Sequence, residues 1–121
     1  MKATHFCLNL TSERPDELFH FYRDCLGLPI AEGMGERAVM AGPAVISFDG
    51  HSEVRGGARE PQRYLIDLFV EDLAAEQARL EAAGVSCIRR KGREEWGGII
   101  STFLDVDGNY VQLIEYNEGG A

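Results

Sequence analysis

The sequence predicts an α+β fold in which a strand–helix–strand–strand–strand order occurs twice in succession. Three observations carry this. Short alternating apolar runs open each half, at His5–Leu10 and at Arg63–Val70. Each run is followed by an amphipathic helical stretch that stops at a glycine, Gly27 in the first half and Gly84 in the second. Each stop is followed by three further strand candidates with turn residues between them.

The elements follow in order. Phe6, Leu8 and Leu10 alternate with His5, Cys7 and Asn9, so the first set is expected to pack on a helix and the second to face the other way. Thr11-Ser12-Glu13-Arg14-Pro15 reads as a helix start, with Asp16 and Glu17 complementing the positive end of the helix dipole. Leu18, Phe21, Tyr22 and Cys25 recur at helical spacing and form the buried stripe. Strands are expected around 29–32, 37–41 and 44–49. The polar stretch 50–62, with Gly56-Gly57 and Pro61, reads as a linker. In the second half Asp72 is the expected N-cap of a helix over 73–83, with Leu73, Gln77 and Leu80 on its inner side. Strands over 85–89, 99–104 and 110–116 complete the pattern, and Asp107-Gly108-Asn109 makes the last turn. The chain is expected to be one domain over 1–121, with a first module at about 4–49, a linker at about 50–62 and a second module at about 63–116. Only the tail Asn117–Ala121 reads as disordered.

Bulk properties exclude several roles. A hydrophobic fraction of 45% over 121 residues suits a compact core. The formal charge of −8 repels phosphate backbones, so nucleic-acid binding is not expected. The basic run Arg89, Arg90, Lys91 and Arg93 is followed at once by Glu94 and Glu95, which cancel most of its field. Three cysteines without a C-x-x-C pair suit a reducing compartment and argue against a disulfide framework or a zinc ribbon. No signal-peptide core and no run of roughly 20 apolar residues is visible, so no membrane role and a cytoplasmic location are expected. Asp105-x-Asp107-Gly108-Asn109 fails as a calcium loop because its glycine comes too early and the distal glutamate is missing. Gly92 and Gly97-Gly98 lack the Gly-Lys-Ser/Thr spacing of a phosphate loop, and no serine sits in a G-x-S-x-G elbow.

Two motifs resemble a known family. Phe21-Tyr22-Arg23-Asp24-Cys25-Leu26-Gly27-Leu28 looks like the first-helix signature of the vicinal-oxygen-chelate superfamily, which contains glyoxalases, bleomycin-resistance proteins and extradiol dioxygenases. Phe103-Leu104-Asp105-Val106-Asp107-Gly108-Asn109 looks like its terminal hairpin, with Val106 in place of the usual proline. The resemblance spans Thr4 to Glu115. It implies two βαβββ modules forming a curled, mixed eight-stranded sheet, with the helices on the convex side and a small-molecule pocket on the concave side. It also implies a homodimer.

In metal-using relatives four side chains converge in the cup, and the resemblance places them at His5, Ser47, Leu65 and Gln112. Imidazole and amide oxygen suit a divalent ion, whereas Leu65 has no donor and Ser47 offers only a hydroxyl. Catalytic zinc sites usually present three protein ligands, so the expectation is a degenerate site without cofactor and no glutathione-linked glyoxalase activity. The alternative keeps a divalent ion (zinc, nickel, manganese or iron) on His5, Gln112 and Asp67, the last being two residues beyond Leu65 and so on the same strand face. Such a site would support a lyase, isomerase or dioxygenase. His51 on the polar turn and His20 on the outer helix side are expected to be solvated. For a small-molecule ligand the candidate contacts are Cys7, Asn9, Ser47, Phe69, Trp96 and Tyr110, with ordinary core packing the competing role for the aromatics. In the enzyme reading Tyr110 or Asp67 could serve in acid–base work, with no catalytic residue assigned beyond that.

Overall fold

A computed structural model describes residues 1–116, so the tail Asn117–Ala121, expected to be disordered, lies outside the described residues. The chain divides into two compact units, Met1–Gly56 and Gly57–Ala121. Each carries a helix on one face of its own sheet.

In the first unit β1 (Cys7–Thr11) lies parallel to β3 (Ala44–Asp49), which pairs antiparallel with β2 (Ala38–Ala41), giving the order β1-β3-β2. Helix α1 (Pro15–His20) continues into a wider π-helical stretch, Phe21–Cys25, in which the Leu26 amide reaches back to the Phe21 carbonyl at 3.0 Å. Gly27 then turns the chain at φ 77°, a left-handed conformation that costs glycine nothing, and the Leu28 amide closes onto the Tyr22 carbonyl. Leu18, Phe19, Phe21 and Tyr22 are buried, as are Leu10, Val39, Ile46 and Phe48 of the sheet. The Phe48 ring lies 5.0 Å from Tyr22 and 5.9 Å from Phe19, so three aromatic rings meet where α1 crosses β3. Arg37 fastens this corner. Its Nε donates to the Phe48 carbonyl at 2.8 Å and its Nη1 to Asp16 on α1 at 3.2 Å.

Two expectations for this unit are corrected. The strand expected at 29–32 is reduced to a single bridge, Ile30 to Val39, because Gly33 and Gly35 adopt positive φ and turn the chain away at once. Phe6 precedes β1 and is 70% exposed, so it does not pack on α1 as the alternation suggested. Ser12 acts near the helix start by accepting the Arg14 amide at 2.8 Å, although Arg14 itself occupies the cap position.

In the second unit β4 (Ile66–Phe69) runs parallel to β7 (Tyr110–Glu115), followed by β6 (Ile99–Leu104) and β5 (Cys87–Arg93), in the order β4-β7-β6-β5. Helix α2 (Leu73–Ala82) starts at Asp72, whose side chain accepts the Ala75 amide at 3.1 Å. It buries Leu73, Gln77 and Leu80, the stripe read from the sequence, on the side of the sheet that holds Ser101, Phe103, Val111 and Leu113. Gln77 is a buried polar group with its oxygen satisfied twice, by the Lys91 amide at 2.8 Å and by the Ser101 hydroxyl. β5 extends past the expected 85–89 into the basic run. It is an edge strand with register shifts, a place where charged side chains reach water at little cost.

Among the described residues the fold is therefore α+β, with seven strands in two mixed sheets of three and four. The eighth strand of the expected sheet is the Ile30–Val39 bridge. No helix among the described residues is long and apolar enough to cross a membrane.

Candidate functional site

Each sheet has one face on its helix and one turned away from it. The face turned away in the first unit carries Cys7, Asn9 and Ser47. Parallel pairing sets Asn9 beside Ser47, and the three side chains form a chain. The Ser47 hydroxyl donates to Asn9 Oδ1 at 3.1 Å, and its oxygen stands 3.3 Å from Cys7 Sγ. A hydroxyl has one proton, and it is spent on Asn9, so the Cys7 thiol is the donor to Ser47. Ser47 is a link in this chain. His5 lies ahead of β1, exposed, with Nδ1 at 3.1 Å from Thr4 Oγ1.

The second unit builds a larger polar row. Strand register sets Asp67 on β4 beside Gln112 on β7, Gln112 opposite Thr102 on β6, and Thr102 opposite Arg89 on β5. Gln112 Nε2 donates to Thr102 Oγ1 at 3.2 Å, which turns its amide oxygen the other way. Asp67 is exposed, yet the protein around its carboxyl strips enough water to hold its pKa above the ordinary carboxylate value. Phe69, 69% exposed, stands in the next row of the same face beside Ile114 and Ile100. Tyr110 lies on the other flank, half-buried, with its hydroxyl 3.3 Å from Gln62 Nε2.

Two glycines shape this face. A Cβ on Gly98 would stand 2.0 Å from Trp96 Cζ3, so the indole occupies the space where a side chain would be. Gly98 alternates with Ile100 and Thr102, which puts Trp96 on the face of Asp67 and Gln112. The indole stacks there on Tyr116, with centroids 6.0 Å apart and planes at 26°. Gly92 opposite Ile100 leaves room for the Arg89 guanidinium, whose Nη1 pairs with Glu94 at 2.6 Å.

A family profile described as the glyoxalase/bleomycin resistance protein/dioxygenase superfamily matches residues 3–113. The chain belongs to that superfamily. An integron cassette protein from the mobile metagenome of V. Cholerae is similar to it, with 23% identity, a TM-score of 0.72, and 97% of this chain and 98% of that chain covered. A glyoxalase/bleomycin resistance protein/dioxygenase from Nocardioides shares 15% identity at a TM-score of 0.73, covering 98% of this chain and 87% of that chain. A family enzyme from Burkholderia phytofirmans PsJN shares 18% identity at a TM-score of 0.74, covering 92% and 97%. These likenesses show the glyoxalase-type fold. Among curated proteins no match was found.

Superfamily members often use a divalent metal, which needs several donors converging on one point. His5 and Ser47 belong to the first unit, Leu65, Asp67 and Gln112 to the second. Leu65 is a hydrocarbon, and Ser47 is committed to Cys7 and Asn9. Among the described residues no three His, Cys, Asp or Glu side chains gather into a metal-holding group. The second unit supplies one carboxylate and one amide oxygen, fewer than a catalytic zinc site ordinarily uses. Of the four positions that the resemblance assigned, Leu65 and Ser47 thus offer no ordinary metal ligand. His51 is exposed and accepts the Glu53 amide at 3.1 Å, and His20 is exposed on α1.

Sequence reasoning missed Thr102, Arg89 and Tyr116. The i, i+2 alternation from Gln112 would have put Tyr116 on the right face, but nothing local indicates that Trp96 folds back over Gly98 onto it.

The raised Asp67 pKa gives a pH prediction. The folded state holds this proton more tightly than the unfolded chain, so the contribution of Asp67 to stability is fully present below the unfolded pKa and is lost as pH rises through the folded one. Asp67→Asn is expected to remove that component. Its melting temperature should equal or exceed that of the parent at pH 7, with the advantage vanishing in mild acid, as read by melting curves across pH.

Proposed function

We propose that this protein binds a small organic molecule at the exposed groups of the second unit's sheet face turned away from α2, without the divalent metal of its metal-using relatives. The observation that carries the reading is the row Asp67–Gln112–Thr102 flanked by exposed Phe69 and by the Trp96–Tyr116 stack. Aromatic surface supplies affinity and a few polar groups fix orientation, the composition of a small-molecule site. Tyr110 borders the same row, and Cys7, Asn9 and Ser47 are proposed as a separate polar contact set on the first unit's own sheet. The protein acts in this reading as a single cytoplasmic domain that forms a homodimer.

The test is a thermal-shift and calorimetry panel of small aromatic and amphiphilic compounds, run beside zinc, nickel, manganese and iron. A ligand at one hundred times its Kd should stabilise the fold by about 2.7 kcal/mol. The metals should leave no stoichiometric ion after dialysis, and glutathione-linked glyoxalase activity should be absent. One equivalent of metal retained by the parent and lost in His5→Ala would overturn the metal-free reading. It would favour a lyase, isomerase or dioxygenase on His5, Asp67 and Gln112.

A further inference from the structure

The polar row and the aromatic stack of the second unit also carry a charge argument. Arg89 and Glu94 neutralise one another at 2.6 Å. Thr102 and Gln112 are neutral and bonded to each other. Asp67 is different: among the described residues it makes no hydrogen bond or ion pair, and no opposite charge offsets the desolvation that raises its pKa. Its neighbour two residues on, Phe69, offers an exposed ring on the same face. Ile100 and Ile114 of the same face are buried, and beyond them the exposed Trp96 lies over Gly98 against the exposed Tyr116.

Deepening the reading above and resting on it, we infer that the ligand of this face is an organic cation bearing an aromatic ring, its ammonium group held by Asp67 and its ring by Phe69 and the Trp96–Tyr116 stack. A carboxylate without a partner lacks the one thing a cation brings. The faces of tryptophan and tyrosine carry negative quadrupole charge, so they favour the same sign. The formal charge of −8 adds a weak field in that direction. An anionic ligand would meet Arg89 with its charge already offset by Glu94. Asp67 pairs with Gln112, and Tyr116 lies four residues beyond Gln112 on the same strand line, about 13 Å at the usual strand rise. A ring on a short tether spans the part of that distance between Asp67 and the aromatic groups.

The test uses three probes that share one phenyl ring and a four-carbon chain, whose last carbon is the carboxyl carbon in the acid: 4-phenylbutylamine, 4-phenylbutan-1-ol and 4-phenylbutyrate. Trp96 is the single tryptophan, so its emission reports on this face alone, and calorimetry gives the affinity. The amine should change Trp96 emission saturably and bind most tightly. Asp67→Asn should weaken the amine about tenfold, the size of one charge-assisted contact, and leave the alcohol within about twofold. Asp67→Glu, which keeps the carboxylate, should retain the preference for the amine and exclude a folding defect as the cause. Equal binding of the three probes, or amine affinity unchanged in Asp67→Asn, overturns the inference and leaves the small-molecule reading standing. Failure of every probe and of the whole compound panel to shift either Trp96 emission or the melting temperature overturns both.

Discussion

Replacing Phe48 by alanine should cost about 3–5 kcal/mol of stability, a large share of the roughly 5–15 kcal/mol that a domain possesses. The side chain is fully buried at 0% exposure, and its ring is the one that both Phe19 and Tyr22 touch. Truncation removes the apolar area of the ring and leaves a cavity between α1 and β3 that neither element can close. β3 is held on both sides, by β1 through the Leu10 pairing and by β2 through Ser47 and its neighbours. The Phe48 backbone is also fixed, its amide bonded to the Arg37 carbonyl and its carbonyl to the Arg37 side chain. With the sheet unable to move, the cavity persists, and the cost belongs at the upper end of the range. Phe48→Leu should cost less, because it retains much of the volume. Urea denaturation is the measurement, and the midpoint should fall by about 2 M for the alanine variant. A fall under about 0.5 M would mean that the corner repacks and that the aromatic cluster does not hold the first unit together.

What the sequence made legible follows the range over which each signal acts. The α2 stripe of Leu73, Gln77 and Leu80 and its Asp72 cap are local patterns, set by helical period and one backbone amide, and the structure has them as read. Gly27 and Gly84 end their helices at positive φ for the same reason. The short first-half strand failed because one Ile-containing run between Pro29 and Gly33 lacks the length to hold more than one bridge. The candidate face was legible only in its members. Asp67, Phe69, Tyr110 and Gln112 could be placed on one side by alternation, but the pairing of Asp67 with Gln112 joins strands more than forty positions apart. Register of that kind is decided by tertiary packing. Trp96 over Gly98 is likewise a matter of space, since a glycine in a turn looks the same in sequence whether or not an indole rests on it.

The second large effect is expected at Asp105, in the β6–β7 connection. Its carboxylate is buried and accepts hydrogen bonds from the Asp107 amide at 2.9 Å, the Asn109 amide at 2.9 Å and Asn109 Nδ2 at 2.8 Å. Asn109 in turn accepts the Tyr64 hydroxyl at 3.0 Å, so one carboxylate organises the turn and fastens it to the segment ahead of β4. Gly108 completes the turn at φ 82°. Asp105→Ala strands two backbone donors and an amide donor in a buried site, and the loss should be about 3–5 kcal/mol. Asp105→Asn is the sharper comparison. Its oxygen can still accept the two backbone amides, but its NH2 group meets the NH2 group of Asn109, donor against donor. The expected loss is therefore smaller, about 1–3 kcal/mol. A spectroscopic signature separates this network from generic destabilisation. Tyr64 titrates above the ordinary tyrosine value, first because burial disfavours its phenolate and then because Asp105 and Asp107 repel it. Removing the Asp105 charge in the still-folded asparagine variant should bring that pKa down toward the usual range, seen as phenolate absorbance appearing at lower pH. An unchanged Tyr64 titration alongside lost stability would mean that the carboxylate acts through the turn alone and that its field does not reach the phenol.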